Sequence, residues 1–426
     1  MDPTVYWHRH VTPAVQPLRG DIRSEAVVVG GGIAGLTCAQ ALNDRGLEVT
    51  LVERDSCGAG ASGKSSGFIT PDSELELSDL VATRGESLGR ELWEFARSGL
   101  EHIRRTISEL ALDCDYQVQD SLFVASSARA FEKVVEVEHQ AHQALGYGST
   151  LYDRSDLERI LGARAFHGGI RYAGTFGIDS YAYCRGLRAA LERRGVRIYE
   201  GTPALRIDGQ GVETPGGRVR SAKVAVLADT GLPSLGLAPA AIHPVRTFLS
   251  ISKPLRASQI EALFPSGDRL MVWDSALAYQ YFRLTGEGRL LLGSARLRDM
   301  YASAGPGARV HVARKLQRYL AGHFRGLEVE FEYLWPGLIG VSKDFLPVVG
   351  RSVSSPEVCF AGAAAGLPWA AALGGYLAQK LTEGRAELDA ALWVDRPFAI
   401  GARLQRLLGK PAGFMLSHAI VKYSKA

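Results

Sequence analysis

Nine residues near the N-terminus, Val27-Val28-Val29-Gly30-Gly31-Gly32-Ile33-Ala34-Gly35, constrain this chain more than any others. An apolar β-branched run meets a Gly-x-Gly-x-x-Gly turn set by Gly30, Gly32 and Gly35. Leu36, Ala39 and Leu42 follow at helical spacing, Gly46 supplies a stop, and Glu48–Glu53 reads as a second strand. The first glycine permits the tight turn, the second lets a pyrophosphate approach the backbone, and the third lets helix and strand pack closely. The helix N-terminus then faces the phosphates. Glu53 stands where a carboxylate hydrogen-bonds an adenosine ribose, and it would repel the extra phosphate of NADP. Strand, helix, second strand and acid at these spacings predict a βαβ unit that binds a dinucleotide, where an isolated glycine turn would not.

The chain has 426 residues, 46% of them hydrophobic, enough for a large core in two or three domains. Its net charge of +4 is spread over both signs without a long basic run, which argues against nucleic acid as a partner. The five cysteines, Cys38, Cys57, Cys114, Cys184 and Cys359, form no Cys-x-x-Cys pair. They fit reduced, buried thiols in a cytoplasmic protein, with no structural metal. No apolar signal core opens the sequence. Val358 to Gln379 lacks any charge, but it is rich in Ala and Gly and contains Pro368. It reads as a buried strand, a turn and a small-residue helix, not a membrane span.

Two further stretches bear on the site. Gly58–Gly67 is dense in small residues and hydroxyls, so its amides can form an anion-binding concavity; a surface loop is the plainer alternative. Residues 245–295 alternate β-rich runs with turns, which predicts an antiparallel sheet and hence a second domain. Between them, 86–110 has the spacing of an amphipathic helix, and a shorter helix is expected at 129–145. Asp179 or Ser180 can cap a helix running to Arg194. Strands are expected at 196–199 and 223–228, a helix near 307–321 and a strand near 327–335. His243 and His311 are isolated and read as structural. The leader, with Tyr6, Trp7 and Pro17, either packs on the body or forms a loose arm.

The ordered set of these features resembles the D-amino-acid oxidase superfamily of FAD-dependent oxidoreductases, most closely its gamma-glutamylputrescine oxidase-like and glycine oxidase-like branch. The resemblance rests on Tyr6-Trp7, the Gly30–Gly35 turn, Gly60-Ala61-Ser62-Gly63, Tyr199–Thr202, Tyr281–Thr285, Arg289–Gly293, Trp335-x-Gly337 and Pro347-x-x-Gly350. It implies an α/β fold: a Rossmann-type FAD-binding domain from 24–85, 165–243 and 336–385, and an antiparallel α+β substrate domain from 86–164 and 244–335. Residues 1–23 would be an arm, and 386–426 a C-terminal extension packing on the body.

The same resemblance implies non-covalent FAD. Gly30, Gly32, Ile33, Ala34, Gly35, Glu53 and Arg54 would hold its ADP half. Ala61, Ser62, Gly63, Lys64, Ser65, Ser66 and Gly67 would pass the pyrophosphate towards the flavin. Ala204 would meet the adenine, with Ala228 and Gly231 nearby. Gly362, Gly366, Leu367, Pro368 and Trp369 would set a helix N-terminus against the flavin, where negative charge develops on reduction. The implied reaction is oxidation of a C–N bond in an amine or amino acid by hydride transfer to flavin N5, with no obligatory protein base. The resulting imine hydrolyses. O2 would reoxidise the flavin to give H2O2; a quinone or protein acceptor, or a flavin-binding protein without catalysis, are the alternatives.

Arg283 is the candidate for a substrate carboxylate, because its fork binds both oxygens, or else a structural ion pair. Tyr281, on the same strand face, would line the pocket. Trp369 would cover the flavin or pack in the core. The chain departs from the family's usual residues at Lys64-Ser65-Ser66 and at Ala364-Ala365-Gly366-Leu367, both at the expected flavin face.

Overall fold

The computed structural model describes residues 1–9, 15–72, 74–276, 278–294, 301, 308–384 and 387–423. The expected helix start at 307 lies outside them.

Two sheets carry the architecture. The first has six strands in the order Arg197–Tyr199, Val49–Val52, Ala26–Val29, Val224–Val226, Val358–Gly362 and Val348–Arg351. All neighbours are parallel except the last pair. Val28 pairs with Leu51 on one side and Ala225 on the other, and every residue of the Val27–Val29 run is buried. Burial on both faces explains why these strands are continuous apolar runs without alternation.

Helices cover one face. Ile33–Asp44 and Leu367–Glu383 cross so closely that a Cβ on Gly374 would sit 2.3 Å from the Ala34 carbonyl oxygen. The 25-residue helix Glu86–Leu110 crosses the second of these at Gly99, where a Cβ would meet the Pro368 oxygen at 1.9 Å. Its apolar stripe of Leu92, Trp93, Ala96, Leu100 and Ile103 shares one core with Val28, Leu36 and Leu377. The helix at 86–110 thus shares the cofactor-side core, with Gly99 as its point of close approach.

The second sheet has eight strands, in the order 331–341, 243–254, 289–294, 281–284, 271–274, 121–124, 168–172 and 150–153. Pairing is antiparallel apart from 271–274 with 121–124. Its outer face buries Phe282, Leu284, Leu290 and Leu292 against Val312, Leu316 and Leu320 of the helix Ala308–His323. Tyr281 and Thr247 stand on the other face, towards the cofactor-side sheet. The period-2 alternation of strand side chains produces this split.

The leader packs on the body. Tyr6 and Trp7 are buried with Trp335, Leu249 and Ile251. The helices expected at 86–110, at 180–194 and after Gly366 form, and the uncharged 358–379 stretch is a strand, a turn and a helix. The region expected as one helix at 129–145 contains a π-helical stretch at Phe131–Val135. Among the described residues no helix is long and apolar enough to cross a membrane.

Candidate active site

The crevice outside the carboxyl ends of the parallel strands is where ligands of open α/β sheets bind, and the expected cofactor residues converge there. Gly30 has φ +110°, and a Cβ there would lie 2.4 Å from the Leu227 oxygen. A Cβ on Gly35 would lie 1.8 Å from the Gly30 oxygen, so helix and strand touch backbone to backbone. Gly32 occupies the N-cap of the first helix without a side-chain cap. Its Ile33 N–H donates to Ser62 Oγ at 3.0 Å, which draws the second glycine-rich segment onto the first turn.

Glu53 Oε2 accepts from the Gly31 N–H at 2.6 Å, and Oε1 from the Asp55 N–H at 2.9 Å. Burial raises this carboxyl above its ordinary value, and those two amides pull it back. The backbone at Thr202 donates to the Glu53 oxygen at 2.7 Å, which brings the Ala204 segment alongside the acid. Leu227 N–H bonds Val29 O, placing Ala228 and Gly231 at the tip of the adjacent strand. Arg54 is exposed and pairs with Asp55 at 3.3 Å.

The loop Ala61–Gly67 is held by its carbonyls from outside. Ser180 Oγ donates to Ser62 O at 2.6 Å, Trp335 Nε1 to Lys64 O at 3.1 Å, Trp7 Nε1 to Ser65 O at 2.9 Å and Arg283 Nε to Ser66 O at 2.7 Å. The inner side of the loop, from Ala61 to Ser66, lines a cavity whose opposite wall includes Ala364 to Leu367. Gly366, at φ +110°, is the N-cap of the helix Leu367–Glu383, and Pro368 lies in its first turn. Gly362 ends the preceding strand, where a Cβ would strike Leu232. A buried acid at the second strand end, a cradle any Cβ would fill, and two helix N-termini on one crevice together fit FAD's diol, pyrophosphate and electron-rich flavin edge.

Tyr281 lines the cavity. For Arg283 and Trp369 the contacts are those of the structural alternatives. Arg283 is fully buried and outside the cavity lining. Besides Ser66 O, it donates from its terminal nitrogens to Ile178 O at 2.5 Å and Leu284 O at 3.1 Å. Desolvation pulls its pKa down to about 10. It shares Tyr281's strand face, but two residues further on, about 7 Å away, that face is roofed by the loop. Trp369 is likewise core: its Nε1 donates to Pro71 O at 2.9 Å and its ring packs on Phe95.

The cavity has polar groups that sequence reasoning passed over. Asp72 and Glu74 line it. Thr70 Oγ1 donates to Asp72, and burial pushes that carboxyl well up, with Glu138 adding repulsion. Glu74 accepts from Tyr279 Oη at 3.0 Å and from Lys422 Nζ at 3.4 Å. Tyr301 and His418 complete the far side. The acids were visible as the alternation Asp72-x-Glu74-x-Glu76 just after the flavin-side loop; nothing in the local pattern marks His418.

Residues 25–380 match the family described as DAO, FAD dependent oxidoreductase. The chain belongs to this family of FAD-dependent oxidoreductases. A probable oxidoreductase OrdL of Haemophilus influenzae is 27% identical over 362 residues, covering 81% of this chain and 79% of the relative. The gamma-glutamylputrescine oxidoreductase of Escherichia coli is 26% identical and covers 78% of each chain. Glycine oxidase from Geobacillus kaustophilus superposes with a TM-score of 0.73 at 17% identity, over 88% of this chain and all of that one. The fold of this DAO-family member is therefore that of the glycine oxidase, with FAD as its cofactor.

Proposed function

We propose that this enzyme oxidises the C–N bond of an amine, with the amine nitrogen entering past Asp72 and Glu74. Bound FAD would supply the two-electron acceptor for the hydride leaving the carbon beside nitrogen, and O2 would take those electrons on as H2O2. The nitrogen must shed its proton before that carbon gives up hydride, since only the neutral amine has a lone pair to form the imine. Asp72, pushed upward by burial, is suited to take that proton. Apolar neighbours such as Leu249 and Ile339 exclude water and favour the neutral amine. Water then adds to the imine, giving a carbonyl compound and an amine or ammonia.

One observation carries the choice of amine over amino acid. The cavity wall holds two carboxylates against Lys64 of the flavin-side loop, and among the described residues no arginine lines it. The names of the similar proteins, a gamma-glutamylputrescine oxidoreductase and a glycine oxidase, support C–N oxidation in general. The reading includes a substrate domain from 86–164 and 244–335, its helix at 86–110 packed on the cofactor side, and cofactor roles for the residues converging on the crevice.

The test is anaerobic bleaching of the flavin band with a panel of amines and amino acids. Bleaching by amines lacking a carboxylate is expected. Bleaching only by α-amino acids would overturn the reading. Peroxide release in air then assigns O2 as acceptor; bleaching without peroxide assigns another.

A further inference from the structure

His418, on the far wall of the cavity, comes from the helix Lys410–Tyr423, which lies beyond the 25–380 stretch that matches the family. One imidazole fixes the chemistry of this wall. His418 Nε2 lies 2.6 Å from the Ser342 carbonyl oxygen, and a carbonyl only accepts, so Nε2 carries the hydrogen. Burial pulls His418 down to about 4, which leaves the ring neutral at physiological pH and Nδ1 bare. Tyr301 Oη lies 2.6 Å from that Nδ1, so the phenol must donate to it. The ring cannot swing freely, because Phe345 stacks on it with centroids 3.9 Å apart. Tyr301 has one proton and has spent it on His418; what its oxygen still offers is lone pairs. Both residues line the cavity. Glu74, whose field is felt at both Tyr301 and His418, adds a second acceptor to the same side.

We propose that this wall is a specificity device: Tyr301 Oη, held as an acceptor by His418, selects substrates with an N–H or O–H donor at the end remote from the oxidised carbon. The proposal rests on the amine reading above and deepens it.

The experiment uses the FAD-loaded enzyme and pairs of probes of equal length, 5-aminopentan-1-ol against hexan-1-amine, with shorter and longer homologues. Binding to the oxidised enzyme is read from the perturbation of flavin absorbance, independently of turnover. The hydroxyl-ended probe should bind roughly three- to tenfold more tightly than its methyl-ended partner. Tyr301→Phe should abolish that preference and leave the methyl-ended affinity unchanged. His418→Gln should preserve it, since an amide can donate to Ser342 O and accept from Tyr301. His418→Leu should free the phenol proton and shift preference towards an ether-ended amine. Absence of the preference in the native enzyme, or its survival in Tyr301→Phe, would overturn the proposal. Should Tyr301→Phe fail to hold FAD, a hydroxyl-to-ether affinity ratio unaltered in His418→Leu does the same, since an ether only accepts. Anaerobic bleaching on the same samples judges the amine reading separately: bleaching without donor preference defeats only the wall, and binding without bleaching defeats only the reaction.

Discussion

The nucleotide crevice and the substrate cavity share the loop Ala61–Gly67 but are built in opposite ways. The crevice is made of backbone from a nearly continuous stretch, 26–67, where glycines give contact distances no side chain tolerates. The cavity is walled by side chains from segments far apart in sequence, among them Asp72, Thr247, Tyr281, Tyr301 and His418. A backbone-built site keeps its ligand through many side-chain exchanges, whereas a side-chain-built site changes its ligand with few. Relatives 26–27% identical to this chain can therefore share a cofactor and differ in substrate.

The sharpest way to break this contrast is Arg283, the side chain on which the shared loop depends. Arg283→Ala takes the side-chain donor from the Ser66 and Ile178 carbonyls, at ~1–3 kcal/mol each, and opens a cavity besides; Leu284 O keeps Gln119 Nε2. We expect a loss on the order of 4 kcal/mol or more, seen as a fall in Tm with loss of FAD. A folded, FAD-loaded variant with altered amine affinity would restore Arg283 to the substrate side.

Glu53→Arg addresses the crevice alone. Charge reversal beside the Gly31 amide should weaken FAD by about 2 kcal/mol or more, some thirtyfold, when apoprotein is titrated with FAD. Tm of the apoprotein should move much less. Undiminished FAD affinity would show that Glu53 does not face the ribose.

Asp179 links the two regions, capping the helix Ser180–Arg193 whose first residue holds the loop. Burial pushes its carboxyl up to about 6, against hydrogen bonds from the Tyr181 and Ala182 amides. A folded-state value above the unfolded one gives stability that is complete below the ordinary carboxylate range and is lost as pH rises to about 6. Asp179→Asn should therefore narrow the Tm difference between about pH 4 and pH 8. Asp179→Ala should cost about 1 kcal/mol at both, because the cap itself is gone. Equal behaviour of the two variants would remove the capping role.

The smallest effect is expected for Trp7→Phe, which leaves a phenyl ring in place of the indole and deletes one hydrogen bond to Ser65 O: ~0.5–1.5 kcal/mol for that bond by denaturant unfolding, with FAD retained.

The same contrast explains what could be read from sequence. The βαβ unit, its acid, the helix at 86–110 and the turn before Pro368 rest on local spacing, and each forms where expected. For Arg283 the sequence left two roles open, because strand alternation gives a side chain's face but not what lies above it. Tyr281 meets open space and Arg283, two residues on, meets Ser66 and Ile178. Amphipathicity likewise says that the helix at 86–110 has a partner, and the notch at Gly99 shows which helix it packs on. His418 was illegible because its role exists only through Ser342 and Tyr301, 76 and 117 residues away.

All five cysteines lie in the cofactor-side core, and none lies in the core of the eight-stranded sheet. Each is buried, and burial raises every one of the thiols, Cys57 further by the carboxylates of Glu200 and Glu53. Thiolate, the species alkylating reagents attack, is thus scarce in the native protein. Labelling with iodoacetamide becomes a clock for one half of the molecule. It runs when the parallel sheet and its helices open, stands still while the substrate sheet alone breathes, and at Cys57, against the Gly31 turn, should slow further when FAD is bound.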